Sequence, residues 1–162
     1  MTQAAHGNHT KHGTPAGYTS LTPHLVVSPA REAIETYRTV FGAKVLDVTP
    51  MGELVAHATL ALADGRFTLC DPLPSYDLVA PSSGPSCFSI AIYVEDVDAV
   101  VARAVQAGAT LREPVSTFVS GDRFGSLIDR FGVRWSVMTR VEDLSDEESA
   151  SRVAKWAAEQ QG

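Results

Sequence analysis

The chain sets out one plan twice. Val27 to Ala43 runs from the end of a strand through a helix-patterned stretch to a glycine stop at Gly42. Val94 to Ala109 repeats this, with its stop at Gly108, 66 residues further on. Strand-like runs follow each unit. Self-similarity at a fixed spacing is the mark of a repeated supersecondary unit. It predicts an α+β fold of tandem βαβββ repeats forming a curved mixed sheet around a shared pocket.

At 162 residues the chain is one domain's worth, long enough to bury a core. A formal net charge of −6 argues against nucleic acid as a partner. No apolar run approaches the roughly 20 residues that span a bilayer, so no membrane partner is expected. Met1 to Gly17 has no apolar segment of the secretory type. The two cysteines, Cys70 and Cys87, make no disulfide framework, and a cytoplasmic location is the expectation. In the same N-terminal stretch, His6, His9 and His12 recur every third residue, a spacing that captures metal ions adventitiously. The glycines and threonines around them supply nothing to pack, so residues 1–17 are expected to be a disordered tail.

The body is expected over 18–142, with units at 18–72 and 87–142, a linker at 73–86, and a C-terminal helix in 143–162. The first strand is read over Tyr18–Val27, with Leu21, Leu25 and Val27 on one face and Thr22, His24 and Val26 on the other. Ser28 is the expected helix cap, with Pro29 at the first helical position. Ala30, Ala33, Ile34, Tyr37, Val40 and Phe41 trace the apolar stripe, and Gly42 ends it. Strands are predicted at Lys44–Thr49, Leu54–Ala63 and Arg66–Asp71, with Asp64-Gly65 as a hairpin turn. Pro72 to Ser86, with four prolines, reads as the linker. The second unit is read as a strand at Cys87–Val94 and a helix from Asp96 to Ala107. Strands follow at Thr110–Glu113, within Val115–Ile128, and at Val133–Arg140. Ser145 and Glu148 form a capping box for a last helix whose apolar face, Ala150, Val153, Ala154 and Ala157, is thin.

Alternation along strands sorts side chains by face. With the aliphatic side against the helices, the concave side carries Thr22, His24, His57, Thr59, Thr68, Cys70, Ser89, Tyr93, Ser136 and Met138. His24 and His57 are the candidates for acid–base catalysis, against the plainer reading of hydrogen-bonded pocket histidines. Arg123, in Gly121-Asp-Arg, is a candidate anion-binding guanidinium; the alternative is a turn whose Asp and Arg stabilise adjoining strands. Trp135 is expected under the helices, and Cys70 as a buried thiol in preference to a nucleophile.

Several stretches resemble the glyoxalase/bleomycin-resistance/extradiol-dioxygenase (vicinal oxygen chelate) superfamily, most closely its PhnB-like branch. They are Thr22-Pro-His-Leu, Ala33-Ile-Glu-Thr-Tyr with Phe41-Gly-Ala, His57-Ala-Thr-Leu, Val94-Glu-Asp-Val-Asp, Gly121-Asp-Arg, Asp129-Arg-Phe-Gly-Val-Arg-Trp-Ser, and Val141-Glu-Asp-Leu-Ser-Asp-Glu-Glu. They run in order from about Thr19 to Glu148. Arg130 departs from the family's Asp-Pro-Phe-Gly turn. The resemblance implies a divalent-metal site built from His, Glu or Gln on equivalent strands. It places those positions at Thr22, about Thr68, Ser89 and Ser136, where this chain has only hydroxyls. No metal or other cofactor is therefore expected. The resemblance points to a non-catalytic protein that binds or sequesters a small organic molecule, in the manner of bleomycin-resistance proteins, and to a homodimer. The alternatives are a metal-dependent lyase, isomerase or dioxygenase with a relocated site of His24, His57 and either Glu53 or Asp71, and a protein–protein module acting through the last helix.

Overall fold

Two stretches of chain, 1–81 and 82–162, form separate compact units, and the computed structural model describes residues 3–82 and 84–160. The first unit contains β1 (Thr10–Lys11), β2 (Thr14–Pro15), β3 (His24–Val26), α1 (Ala30–Phe41), β4 (Lys44–Met51), β5 (Leu54–Leu62) and β6 (Gly65–Cys70). The second contains β7 (Ile90–Tyr93), α2 (Val97–Gln106), β8 (Thr110–Thr117), β9 (Asp122–Ile128), β10 (Arg134–Arg140) and α3 (Asp146–Glu159). The repeat read from the sequence is present as architecture. One four-stranded sheet has the order β3-β6-β5-β4 and the other β7-β10-β9-β8. In both, the first strand lies parallel to the last, and the remaining pairs are antiparallel. A parallel pair needs a crossover, and the amphipathic helix after each first strand supplies it.

The cores follow the predicted stripes. On α1, Ala30, Ala33, Ile34, Tyr37, Val40 and Phe41 are buried, with the Tyr37 ring edge-on to Phe67 at 5.9 Å. Gly42 adopts the left-handed conformation (φ 74°), and its N–H returns to the Tyr37 carbonyl, which ends the helix. On α2, Val97, Val100, Val101 and Ala104 are buried, and Asp96 caps the helix by accepting from the Ala99 N–H at 2.9 Å. Trp135 is 1% exposed, with its indole N–H donating to Asp129 at 2.9 Å. Asp129 also accepts the Phe131 and Val133 amides, and so holds the turn that carries Arg130. No helix among the described residues is long and apolar enough to cross a membrane.

The start of α1 differs from expectation. Pro29 occupies the cap position with no side-chain bond, and Ser28 caps nothing. Instead Asp71, just beyond β6, accepts the Ala30 N–H at 3.0 Å with Oδ1 and the Val55 N–H at 2.8 Å with Oδ2. A proline at the cap fixes the entry of the chain but provides no side-chain acceptor, so a carboxylate from another strand end satisfies the orphan amide.

Other corrections concern boundaries. The first strand is only His24–Val26, and Leu21, expected inward, is 82% exposed. The N-terminal stretch, expected to be disordered, forms the small antiparallel hairpin β1–β2 over its described residues. Strand β8 continues past Glu113 through Pro114 to Thr117. As the edge strand, with two register shifts against β9, it tolerates the missing N–H. The predicted capping box at Ser145 and Glu148 forms, but no residue of α3 is buried. Trp156, packed edge-on against Phe118 at 5.0 Å, and the bond from the Ser149 hydroxyl to the Ser120 carbonyl tie the helix to its own unit. The alanine stripe is too small to do so.

Ala30 and Val55 are both fully buried, so Asp71→Ala strands two amides without partners and is expected to cost about 2–4 kcal/mol of unfolding free energy. Asp71→Asn keeps one acceptor and turns donors toward the second amide, so it recovers at most half. Urea unfolding followed by tryptophan fluorescence measures both. A loss below about 1 kcal/mol for the alanine variant would show that the carboxylate does not hold these elements.

Candidate functional site

On each sheet the helix covers one face, and the side chains of alternate strand residues lie on the other. In the first unit, register places His24 beside Thr68 across the parallel β3–β6 pair, and Thr68 beside Thr59 across β6–β5. His24 Nδ1 lies 2.7 Å from Thr68 Oγ1, and His24 Nε2 lies 3.4 Å from Cys70 Sγ. His57 Nε2 lies 3.3 Å from Thr59 Oγ1, and the two imidazoles stack at 6.2 Å with 10° between their planes. Five of the predicted concave residues (His24, His57, Thr59, Thr68 and Cys70) thus form one cluster.

The hydrogens in this cluster follow from chemistry. Burial, and secondarily the Asp71 charge, push the Cys70 thiol up from its ordinary value, so Sγ keeps its proton and donates to His24 Nε2. His24 then carries its proton on Nδ1 and donates to Thr68 Oγ1, whose own hydrogen is directed at the Pro23 carbonyl, 3.5 Å away. Partial desolvation first, and the neighbouring His57 second, hold His24 below the ordinary imidazole value. Both His24 nitrogens are therefore committed within the protein. His57 keeps Nδ1 free of any protein partner among the described residues, which makes it the group of this cluster able to exchange a hydrogen bond with a ligand.

Tyr18 and Arg66 also belong to this face, and sequence reasoning missed both. The Tyr18 hydroxyl lies 3.5 Å from Thr59 Oγ1, and the Arg66 guanidinium sits over the Tyr18 ring at 4.7 Å. Gly17, at φ +81°, precedes this contact, and a Cβ there would come within 2.1 Å of an Arg66 nitrogen. The even spacing of Arg66 from Thr68 and Cys70 was the available signal. Thr22 does not join the cluster, because its hydroxyl turns to the Thr19 carbonyl at 3.4 Å, ahead of β3.

In the second unit, Ser136 pairs with Ala91, and Met138 with Tyr93. The Ser89 and Ser136 hydroxyls are hydrogen-bonded at 2.8 Å. Beside them Ser126 is bonded to the Glu113 carboxylate, and Arg134 reaches both Glu113 (2.8 Å) and Ser126 (3.1 Å); this triad was not foreseen. Tyr93 is exposed, with its hydroxyl 3.5 Å from Asp122. Arg123 is not where an anion-binding group was expected. It alternates with Asp122 and Phe124, falls on the helix side of the sheet, and forms two bonds to Asp98 of α2 at 2.6 and 2.7 Å. Asp122 in turn accepts from Arg140 and Ser120, so this stretch stabilises adjoining elements.

The donor set does not fit a catalytic divalent metal ion. Thr22, Thr68, Ser89 and Ser136 offer only hydroxyls, which are poor ligands for such ions. In the relocated alternative both Asp71 oxygens are held by backbone amides, and Glu53 stands in no three-ligand group with the two histidines. Among the described residues no group of three or more His, Cys, Asp or Glu is placed to hold a metal.

The lowered His24 ionisation sets a sign for acid. Because the folded protein releases this proton more readily than the unfolded chain, the unfolded state binds more protons below the ordinary value of 6.5. Stability from this group is present above that pH and is lost as pH falls toward the folded value. An NMR titration of the His24 ring is expected to show a midpoint below 6.5, rising part of the way back in His57→Ala while partial desolvation keeps it depressed. A wild-type midpoint at or above the ordinary value would contradict the arrangement.

Comparison with known proteins places this geometry in a family. The family model described as Glyoxalase/Bleomycin resistance protein/Dioxygenase superfamily matches residues 14–137. An uncharacterised protein of Mycobacterium bovis is 35% identical over 135 residues, covering 80% of this chain and 88% of the relative. Two solved structures share the fold. The PhnB protein from Bacillus cereus has a TM-score of 0.59 at 22% identity, covering 75% of this chain and 99% of that one. The fosfomycin resistance protein FosX from Listeria monocytogenes, solved with Mn(II) and sulfate, has a TM-score of 0.63 at 12% identity, covering 83% and 97%. The expected resemblance is thus an observed one: the chain belongs to the glyoxalase/bleomycin resistance/dioxygenase superfamily.

Proposed function

We propose that this protein binds or sequesters a small organic molecule without a metal cofactor. One observation carries the reading: the positions where the family resemblance implies metal ligands hold hydroxyls that are already satisfied by protein partners. Ser89 is bonded to Ser136, Thr68 to His24, and Thr22 to the backbone of Thr19. A face of small hydroxylated and aromatic side chains with a few convergent polar groups suits a compact organic ligand better than an ion. His57 is the proposed ligand-facing hydrogen-bonding group, with the neighbouring Tyr18 of the same unit as contact surface. The likeness to a fosfomycin resistance protein suggests antibiotics as first probes, and a cytoplasmic location is part of the same proposal.

Thermal-shift and calorimetric titration against a panel of aromatic and peptide antibiotics tests this. At least one compound is expected to raise the melting temperature, and His57→Ala to weaken its binding by about tenfold, the worth of one lost hydrogen bond in a desolvated site. No stabilisation by any compound, together with turnover of a small substrate, would overturn the proposal. So would stoichiometric Zn, Fe, Mn or Ni in protein lacking residues 1–17, if that metal disappears in the His24→Ala, His57→Ala double variant.

A homodimer is part of the proposal. It is supported by β4, an edge strand whose eight residues are all exposed and which presents Val45, Leu46, Val48 and Met51. Light scattering is expected to give twice the 17.3 kDa chain mass, and a clean monomer that still binds ligand would rule the dimer out.

A further inference from the structure

The N-terminal hairpin concentrates chemistry that the sheet faces do not use. Three backbone bonds close this segment on itself: the Gly7 N–H to the Thr10 carbonyl at 2.8 Å, the Gly13 N–H to Ala5 at 3.0 Å, and the Ala16 N–H to His9 at 2.9 Å. Strands β1 and β2 pair Thr10 with Pro15 and Lys11 with Thr14. The turn between them is His12-Gly13, at φ 50° and 83°, two successive positive values that suit the tight turns of two-residue hairpins. This folding-back brings the His6 and His12 rings together, with centroids 4.8 Å apart and planes tilted by 46°. Both rings line an open hollow of about 940 Å³ with Asn8, Lys11 and neighbouring backbone, while His9 is not part of its lining.

We infer that His6 and His12 form a two-imidazole site for a divalent late-transition cation. Imidazole is a borderline-soft ligand that suits Ni²⁺, Cu²⁺ and Zn²⁺. Two rings already in contact need only a small reorientation to aim one nitrogen each at a common ion. No third His, Cys, Asp or Glu completes the set among the described residues, so water fills the remaining positions and the ion is exchangeable. The hairpin makes a selective statement that linear spacing does not. A flexible tail with histidines at every third residue would use His6, His9 and His12 alike, whereas the folded segment pairs the outer two and leaves out the middle one.

The test is calorimetric titration of the full chain with NiCl₂ in a non-coordinating buffer. One ion per chain is expected. His6→Ala and His12→Ala should each weaken binding by at least tenfold, and His9→Ala should change it less than twofold. Far-UV circular dichroism of the variants should match the wild type, since all three positions lie outside the two four-stranded sheets. Equal losses from all three variants would overturn the inference in favour of unstructured chelation, and absence of Ni²⁺ binding would overturn it outright. Binding that survives all three changes and disappears in His24→Ala, His57→Ala would move the ion to the sheet and contradict both this site and the proposed metal-free function. Failure of the hairpin site alone leaves that function untouched.

Discussion

The Asp71 carboxylate is the point at which the first unit is tied together. One oxygen holds the first amide of α1, the other holds an amide at the start of β5, and the residue itself follows the last position of β6. Helix entry, hairpin and the parallel β3–β6 pair meet at one side chain that is 3% exposed. A buried charge of this kind persists only when hydrogen bonds replace its lost water, and two amide donors do so here. The second unit applies the same chemistry at Asp129, which gathers two backbone amides and the Trp135 indole at the β9–β10 turn. In each half the apolar stripes supply the bulk of the driving force, while a single acid fixes where the chain must bend.

Much of this was legible because it depends on local period. The 3.6-residue stripes of α1 and α2, the glycine stop at Gly42, the Asp96 cap and the Ser145 capping box are set by residues within one turn of one another. Burial of Trp135 followed from alternation with Ser136. The Asp71 cap was not legible, because its partner amide lies 41 residues away in sequence and nothing local to Ser28-Pro29 announces it.

The site was legible in part for related reasons. Alternation brought His24, Thr68 and Cys70 to one face, since His24 and Cys70 lie on strands whose aliphatic side is unambiguous. For Arg123 both readings stayed open, because the glycine at position 125 interrupts the apolar side of β9. The even spacing of Arg123 from the fully buried Leu127 was the signal that assigns it to the helix side. Tyr18 and Arg66 were missed because a ring beneath a guanidinium is a contact between a segment ahead of the first strand and the middle of the sheet. Trp156 was passed over because an alanine-rich stripe drew attention from the one side chain on α3 large enough to reach Phe118.

The two sheets have one topology but different chemical contents. Where the first unit sets His24 beside its last strand, the second sets Ala91, and Thr68 corresponds by register to Ser136. All five histidines of the chain lie at or before position 57. Neutral imidazole carries a donor and an acceptor on separate ring nitrogens, so that chemistry is present in one copy of the repeated topology and absent from the other. One topology thus frames two different sets of side chains, imidazole with hydroxyl in the first unit and hydroxyl without imidazole in the second.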